Sequence, residues 1–133
     1  MNRCILIADD DAEDRFFYQK AFEENNIGDT VLYFQNGLEL LGYLQDMLAD
    51  KAHLPSLILL DVNMPKMNGK EVLKTIKANE SLGVIPVVIV STSSAQDDMD
   101  ECYALGANEY RVKPGNFVEL KITIGQLYDR WLR

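Results

Sequence analysis

Short runs of apolar, often β-branched residues alternate with longer amphipathic segments along the whole chain. This alternation restricts the folds open to the chain more than any other feature of the sequence. Three of the runs are almost continuously apolar, which is typical of strands buried on both faces of a parallel sheet. The predicted strands are Cys4–Ala8, Thr30–Phe34, Leu57–Leu60, Pro86–Val90 and Glu109–Val112.

The segments between the predicted strands carry helix start signals. Asn36, Asn68 and Asn116 each stand three residues before a glutamate, which is the spacing of a capping residue and its reciprocal partner. Ser94 and Asp97 form a looser version of the same pattern. Apolar residues recur at spacings of three and four after these starts, which indicates amphipathic helices.

The alternation of strands and helices predicts an α/β fold. We expect a five-stranded, parallel, doubly wound sheet of the flavodoxin-like (βα)5 type, with strand order 2-1-3-4-5. Asp11 is expected to cap the first helix, and Gly106 is expected to end the fourth. Because the sequence contains no repeat, linker or low-complexity segment, residues 1–133 are predicted to form a single domain.

Charge and cysteine usage exclude several classes of function. The 13 basic and 21 acidic residues give a net charge of -8, and this argues against binding to nucleic acids or anionic membranes, which both need a basic surface. No apolar run is long enough to span a bilayer. Cys4 and Cys102 are predicted to be buried free thiols in a reducing compartment. We therefore expect a cytoplasmic protein.

Charged and hydroxyl side chains follow the predicted strands at the edge where such sheets bind ligands. Asp9 and Asp10 follow strand one, Asp61 follows strand three, Ser91 follows strand four and Lys113 follows strand five. Clustered carboxylates need compensating positive charge, which Mg²⁺ supplies through oxygen ligands. The hydroxyl and the ammonium suit the other oxygens of a phosphoryl group. One carboxylate can then act as the nucleophile that forms an aspartyl phosphate.

The order and spacing of these residues resemble the receiver domain of two-component response regulators, in particular the chemotaxis-type single-domain regulators. The resemblance covers essentially the whole chain. A weaker similarity, to stand-alone regulators encoded beside bacterial phytochrome kinases, lies in the acids at positions 9–11, in Asp14 and in the long second helix. The motifs of the main resemblance are Ile7–Asp10 (IADD), Leu57–Pro65 (LILLDVNMP) with Asn68–Gly69, Pro86–Ser91 (PVVIVS) and Tyr110–Pro114 (YRVKP).

The resemblance implies a phosphoacceptor and a metal site. Asp61 would take a phosphoryl group from a histidine kinase or a histidine phosphotransfer protein. Asp9 and Asp10 would bind Mg²⁺ together with Asp61, and Asn63 would contribute its backbone carbonyl. The chain is thus expected to be no enzyme beyond catalysing its own Mg²⁺-dependent phosphorylation and dephosphorylation.

The resemblance also implies a switch. Ser91 stands where the family has the threonine or serine that bonds to the phosphoryl oxygen. Lys113 would contact the phosphate and Asp61, and its bond to Pro114 is typically cis in the family. Tyr110 matches the aromatic residue whose rotamer reports activation, and it is expected to turn inward when the phosphoryl group binds.

The expected function is a stand-alone signalling switch in a phosphorelay. His53, the only histidine, lies in a polar loop that the predicted topology places away from Asp61. The phosphodonor is therefore expected to be a partner or a small molecule. Because the chain ends with helix five, output is expected through a partner, through a homodimer formed by helix four, strand five and helix five, or through onward transfer of the phosphoryl group.

The alternative is an enzyme, a Mg²⁺-dependent phosphohydrolase of the haloacid-dehalogenase type with Asp61 as its nucleophile. Such an enzyme needs a second acid two residues further on, and this chain has Asn63 there. A flavodoxin-type cofactor binder is a third option, but acids follow strand one where a phosphate-binding loop would have to lie. Turnover of a generic aryl phosphate would distinguish the enzyme from the switch.

Overall fold

The computed structural model describes residues 3–50 and 53–133. The strands are β1 (Cys4–Ala8), β2 (Thr30–Phe34), β3 (Leu57–Leu60), β4 (Val87–Ser91) and β5 (Glu109–Val112). The α-helices are α1 (Ala12–Glu24), α2 (Gly37–Ala49), α3 (Gly69–Ala78), α4 (Gln96–Ala104) and α5 (Phe117–Trp131). A short 3-10 helix, Leu82–Val84, precedes β4.

The strands form one parallel sheet in the order β2-β1-β3-β4-β5, and this confirms the predicted fold class and strand order. Alternate residues of each central strand point to opposite faces. Leu6 and Ile58 belong to the layer that packs against α2, α3 and α4. Ile5 and Leu59 belong to the layer that packs against α1 and α5. The apolar runs are continuous because both faces of the sheet are covered.

The helix caps follow the sequence signals at most of the predicted positions. The side chains of Asn36, Asn68 and Asn116 each accept a hydrogen bond from the backbone N–H of the glutamate three residues later. Asp11 caps α1 as predicted. Gly106 lies just beyond the end of α4 with φ of 106°, a backbone conformation that glycine adopts without the steric cost of a Cβ.

Two boundaries around β4 differ from the prediction. β4 begins at Val87 and ends at Ser91, one residue later at each end than predicted. Proline has no N–H to donate to the ladder, which is why Pro86 lies just outside the strand. Ser91 belongs to the strand because it pairs with Val112.

The predicted cap of α4 is wrong. The helix begins at Gln96 after Ala95, and no side chain caps it. The hydroxyl of Ser93, one residue before the predicted cap Ser94, accepts a hydrogen bond from the N–H of Ala95 at 3.2 Å. This bond holds the chain in a turn before the helix starts, so Ser94 does not occupy the capping position.

The two cysteines differ in their burial. Both cysteines are free thiols. Cys102 is buried as predicted, but Cys4 is only half-buried because it lies at the first position of β1. Within residues 3–50 and 53–133, no helix is long and apolar enough to cross a membrane.

Lys77 joins the segment before β4 to the loop before β5, and we predict a large stability loss when its ammonium is removed. The Lys77 Nζ donates to the carbonyl oxygens of Gly83 and Ile85 and to Asn108 Oδ1, at 3.1, 2.8 and 2.9 Å. Lys77→Met would remove the ammonium donor from both carbonyl oxygens and from Asn108 Oδ1, which keeps only its bond from the N–H of Val87. The free energy of unfolding in urea should therefore fall by roughly 2 kcal/mol. The control Lys74→Met, an exposed position of the same helix, should change it by less than about 0.5 kcal/mol. Equal effects of the two variants would contradict this role of Lys77.

Candidate functional site

Four strand ends bring the predicted site residues to one edge of the sheet. Asp9 follows β1, Asp61 follows β3, Ser91 ends β4 and Lys113 follows β5. Carboxylate oxygens of Asp9, Asp10 and Asp61 lie within 4.8 Å of one another. Asp9 and Asp61 are buried, whereas Asp10 is exposed to solvent. The structure therefore assembles an acidic cluster that is open to solvent on the side of Asp10.

Local turns fix the two buried carboxylates. Asp9 Oδ1 accepts a hydrogen bond from the N–H of Asp11 at 2.9 Å, and Asp61 Oδ1 accepts one from the N–H of Asn63 at 3.1 Å. Both are bonds to the backbone two residues on, a turn that aspartate favours. Asn63 was predicted to bind the metal through its backbone carbonyl. Its backbone N–H holds the Asp61 carboxylate.

Lys113 lies among three carboxylates. Its Nζ is 3.0 Å from Asp9 Oδ2, 3.4 Å from Asp61 Oδ2 and 2.8 Å from Asp14 Oδ2. The contact with Asp61 is the one that the resemblance implies, whereas a contact with Asp9 was not predicted and Asp14 was not assigned to the site. Asp14 lies in the first turn of α1, and its contact with Lys113 joins residues of two different elements, which no pattern in the sequence indicated.

Burial and neighbouring charges shift the pKa values of the site residues in opposite directions. Burial raises the pKa of Asp9 and of Asp61 above the usual range, while the Lys113 ammonium counteracts part of this rise. Burial alone would lower the pKa of Lys113, but the ion pairs with Asp14 and Asp9 and the charge of Asp61 raise it above its usual value. The carboxylates are held in a negative cluster that one ammonium only partly neutralises.

One oxygen of the cluster is poorly satisfied. Asp9 Oδ2 is buried and, although Lys113 Nζ lies 3.0 Å away, it accepts no hydrogen bond of good geometry from the described residues. The contact between Lys113 Nζ and Asp9 Oδ2 is therefore an ion pair whose angles do not suit a hydrogen bond. A buried carboxylate oxygen without a donor, beside two further carboxylates, is a donor set that suits a hard divalent cation.

Ser91 and Tyr110 are both buried. Ser91 Oγ accepts a hydrogen bond from the N–H of Ser93 at 3.1 Å. The hydroxyl of Tyr110 donates to the carbonyl of Ser93 at 2.8 Å. Tyr110 is already turned inward, among apolar residues of the layer that faces α4, so the inward position does not itself require a change at the acidic cluster.

The Lys113–Pro114 bond differs from what the resemblance implies. It is trans, as are the other peptide bonds of the described residues. The trans form is the lower-energy isomer of a bond to proline. Lys113 reaches the carboxylates from this backbone conformation.

A family profile and curated relatives match the chain over almost its whole length. The profile described as "Response regulator receiver domain" matches residues 5–124. The response regulator Rcp1 of Synechocystis sp. is 34% identical over 131 residues, which cover 98% of this chain and 89% of Rcp1. The probable methanogenesis regulatory protein FilR2 of Methanothrix harundinacea is 34% identical over 128 residues, which cover 96% of this chain and 83% of FilR2.

Solved structures with the same architecture include two regulators from cyanobacteria. The phosphorylated cyanobacterial phytochrome response regulator RcpA superposes with a TM-score of 0.90 at 34% identity, covering 99% of this chain and 95% of RcpA. The Mn²⁺-bound form of the response regulator Rcp1 superposes with a TM-score of 0.87 at 33% identity, covering 98% of this chain and 95% of Rcp1.

Proposed function

Because the chain belongs to the family of response regulator receiver domains, we propose that residues 1–133 form one receiver whose switch is phosphorylated at Asp61. Receiver domains take phosphoryl groups from histidine kinases or histidine phosphotransfer proteins in two-component signalling. The observation that carries the assignment is the position of Asp61, a buried carboxylate that directly follows the central strand β3 and lies beside Asp9, Asp10 and Lys113.

The transfer needs a nucleophile and charge stabilisation. A carboxylate oxygen of Asp61 attacks the phosphorus of the donor phosphohistidine. The P–N bond breaks, and its electron pair stays on the imidazole nitrogen. The backbone N–H of Asn63 holds one carboxylate oxygen in place, at 3.1 Å. The ammonium of Lys113 would donate a hydrogen bond to one phosphoryl oxygen, and the hydroxyl of Ser91 would donate one to another.

The acidic cluster fits the metal that receiver domains bind. Receiver domains bind Mg²⁺ or Mn²⁺ at an acidic pocket, and we assign Mg²⁺ to this chain. Asp9, Asp10 and Asp61 would hold it through carboxylate oxygens, with the backbone carbonyl of Asn63. When bound, the ion neutralises negative charge that builds up on the phosphoryl oxygens. The unsatisfied Asp9 Oδ2 supports this assignment.

We predict that the free energy of unfolding depends on pH in the metal-free protein, and on Mg²⁺, because of this acidic cluster. The raised pKa of Asp61 means that the folded state takes up a proton before the unfolded state does. The free energy of unfolding of the wild type, minus that of Asp61→Asn, should therefore rise as the pH falls from neutral toward the usual carboxyl pKa. Mg²⁺ at ten times its dissociation constant should add about 1.4 kcal/mol, a shift in Tm of roughly 5 °C.

Thermal melts in EDTA and in Mg²⁺ measure both effects. Asp10→Asn should lose most of the Mg²⁺ shift. The matched control Glu13→Gln, which removes an exposed carboxylate from the first turn of α1, should keep it. A full Mg²⁺ response in Asp10→Asn would show that Asp10 is not a metal ligand.

A cavity beside Lys113 is where we place the donor protein. It has a volume of about 340 Å³ and lies between α1 and the start of α5. Aromatic rings of Phe17 and Phe117 line it together with Lys113. A donor side chain that enters this cavity would lie next to the acidic cluster. The chain's own histidine, His53, is exposed in the loop before β3, and we assign it no part in the transfer.

Output is assigned to the face formed by α4, β5 and α5. Ser91 and Lys113 would bond to phosphoryl oxygens on Asp61, and the loop after β4 would adjust around Ser91. Tyr110 is already buried, and we expect phosphorylation to stabilise this inward position through its bond to the carbonyl of Ser93. The face exposes apolar side chains to which an output partner or a second copy would bind: Val112, Val118 and Ile122.

Amide hydrogen exchange tests the output face. Beryllofluoride with Mg²⁺ should slow exchange most in the loop after β4 and in α4, β5 and α5, because that is where the contacts of Ser91 and Tyr110 lie. The comparison is the same protein with Mg²⁺ alone. Changes confined to α2 and α3 would overturn the assignment of the output face.

The remaining assignments follow from the family. The comparisons give no support to the phosphohydrolase alternative, and position 63 is the asparagine noted above. The chain is a signalling protein and no classical enzyme. Self-catalysed phosphorylation and dephosphorylation remain part of this proposal. We place the protein in the cytoplasm, which suits its free thiols Cys4 and Cys102.

A further inference from the structure

An ion-paired lysine joins helix α3 to helix α4 close to the site. Lys70 is the second residue of α3. Its Nζ lies 3.0 Å from Asp98 Oδ1 and 2.8 Å from Glu101 Oε2, both on α4. The side chain of Lys70 is only 22% exposed. Lys70 and Asp98, together with Ser93, are called the α3–α4 brace below.

The brace continues to Ser91 through direct hydrogen bonds. Ser93 Oγ donates to Asp98 Oδ2 at 2.5 Å, while the N–H of Ser93 donates to Ser91 Oγ at 3.1 Å. The carbonyl of Ser93 accepts from the hydroxyl of Tyr110. Ser93 is therefore fixed through its amide, its carbonyl and its hydroxyl. It is the link between the buried hydroxyl of Ser91 and the two helices.

The hydrogen bond from the N–H of Ser93 leaves the hydroxyl of Ser91 free to act as a donor. A serine hydroxyl has one proton to donate and two lone pairs to accept with. Because the N–H of Ser93 occupies a lone pair of Ser91 Oγ, the proton of that hydroxyl remains free to be donated to a phosphoryl oxygen. The position of the Ser93 amide therefore sets where the Ser91 Oγ lies and how its hydroxyl is oriented.

The charge of Asp98 gives the brace its strength. A hydrogen bond from a hydroxyl to a carboxylate is shorter and stronger than a neutral one. The ion pair with Lys70 would contribute little as an isolated surface contact. Here it also keeps Asp98 Oδ2 directed at Ser93, because Lys70 binds the other oxygen of the same carboxylate.

We propose that Asp98 and Lys70 are positioning residues for the phosphoryl group, which they affect by holding Ser93 and through it the hydroxyl of Ser91. This inference rests on the proposed function, since it concerns the group bound to Asp61. The brace connects the two helices that follow strands of the site, because α3 comes after β3 and the loop with Asp61, and α4 comes after β4, which ends at Ser91. Among the described residues, neither Lys70 nor Asp98 forms a hydrogen bond or an ion pair with the acidic cluster.

Binding of beryllofluoride to the full chain in saturating Mg²⁺, measured by titration calorimetry, tests the proposal. Asp98→Asn should weaken binding on the order of fivefold, because a neutral amide oxygen cannot serve both Ser93 and Lys70. The Mg²⁺ dissociation constant should not change. Asp100→Asn is the matched control. It removes the same charge from the same helix, where Asp100 accepts a bond only from Gln96 among the described residues.

Lysine variants and a double variant distinguish positioning from general damage. Lys70→Met should weaken beryllofluoride binding as Asp98→Asn does, and Lys70→Arg should restore most of it. Ser93→Ala combined with Asp98→Asn should cost little more than either change alone, because both break the same link. Additive effects, or equal affinities of Asp98→Asn and Asp100→Asn, would overturn the proposal.

Failure of the proposed function would look different. In that case the wild type would not bind beryllofluoride, or Asp61→Asn would bind it as well as the wild type. If the wild type binds it and Asp61→Asn does not, the proposed function stands. The comparison of Asp98→Asn with Asp100→Asn then decides on the brace alone.

Discussion

Gly69→Ala is expected to lower the free energy of unfolding by about 3 kcal/mol, because the site leaves no room for a methyl group. A Cβ at Gly69 would collide with the carbonyl oxygen of Asp61 and would lie 2.7 Å from the Cα of Val62. Both obstacles are backbone atoms, so relief requires the chain that carries Asp61 to move. Urea denaturation measures the loss. The displaced Asp61 backbone should also slow phosphorylation by acetyl phosphate.

Gly42→Ala is the matched control for this prediction. Gly42 lies inside α2, and a Cβ there would meet nothing within 4 Å. Alanine is the better helix former, so Gly42→Ala should raise the free energy of unfolding by roughly 0.5–1 kcal/mol. Opposite signs for the two variants are the expected result. A Gly69→Ala protein as stable as the wild type would show that the loop after β3 is looser than the structure indicates.

The sheet and the position of the site could be predicted from the sequence because both depend on local patterns. Continuous apolar runs indicated parallel strands with two covered faces. The carboxyl ends of parallel strands share one edge, so residues that follow separate strands had to lie near one another. On this ground Asp9, Asp61 and Lys113 were predicted to meet, and the structure places Lys113 within ion-pair distance of both carboxylates.

The details that the sequence left open are tertiary distances. Whether Asp14 reaches Lys113 depends on how closely α1 packs beside the loop after β5, and no spacing within one element encodes that distance. Lys70 and Asp98 are 28 residues apart and lie on different helices. The start of α4 was predicted wrongly because two serines compete there, and the bonds of Ser93 to Ala95 and Asp98 decided the outcome.

The difference in exposure between Asp9 and Asp10 could not be predicted from the sequence either. Asp9 and Asp10 are neighbours with the same side chain, yet one is buried and the other exposed. The chain leaves the sheet at this point, so consecutive side chains face different surroundings. Asp9 therefore bonds to the turn and to Lys113, while Asp10 faces solvent.

Phosphorylation of Asp61 is the prediction with the largest expected effect, because one change should abolish the reaction. Asp61 is a buried carboxylate of the acidic cluster, held by the N–H of Asn63 and facing Lys113. Asp61→Asn keeps the shape of the side chain but removes the nucleophilic carboxylate oxygen. Asp100→Asn, which changes an exposed carboxylate of α4, is the control for the loss of one charge.

The direct measurement is the intact mass of the protein after treatment with acetyl phosphate and Mg²⁺. The wild type and Asp100→Asn should each gain the mass of one phosphoryl group. The gain should disappear when EDTA replaces Mg²⁺, and hydroxylamine, which cleaves acyl phosphates, should remove it. Asp61→Asn should gain nothing under the same conditions. Labelling of Asp61→Asn to the extent of the wild type would contradict the assignment of Asp61 as the phosphoacceptor.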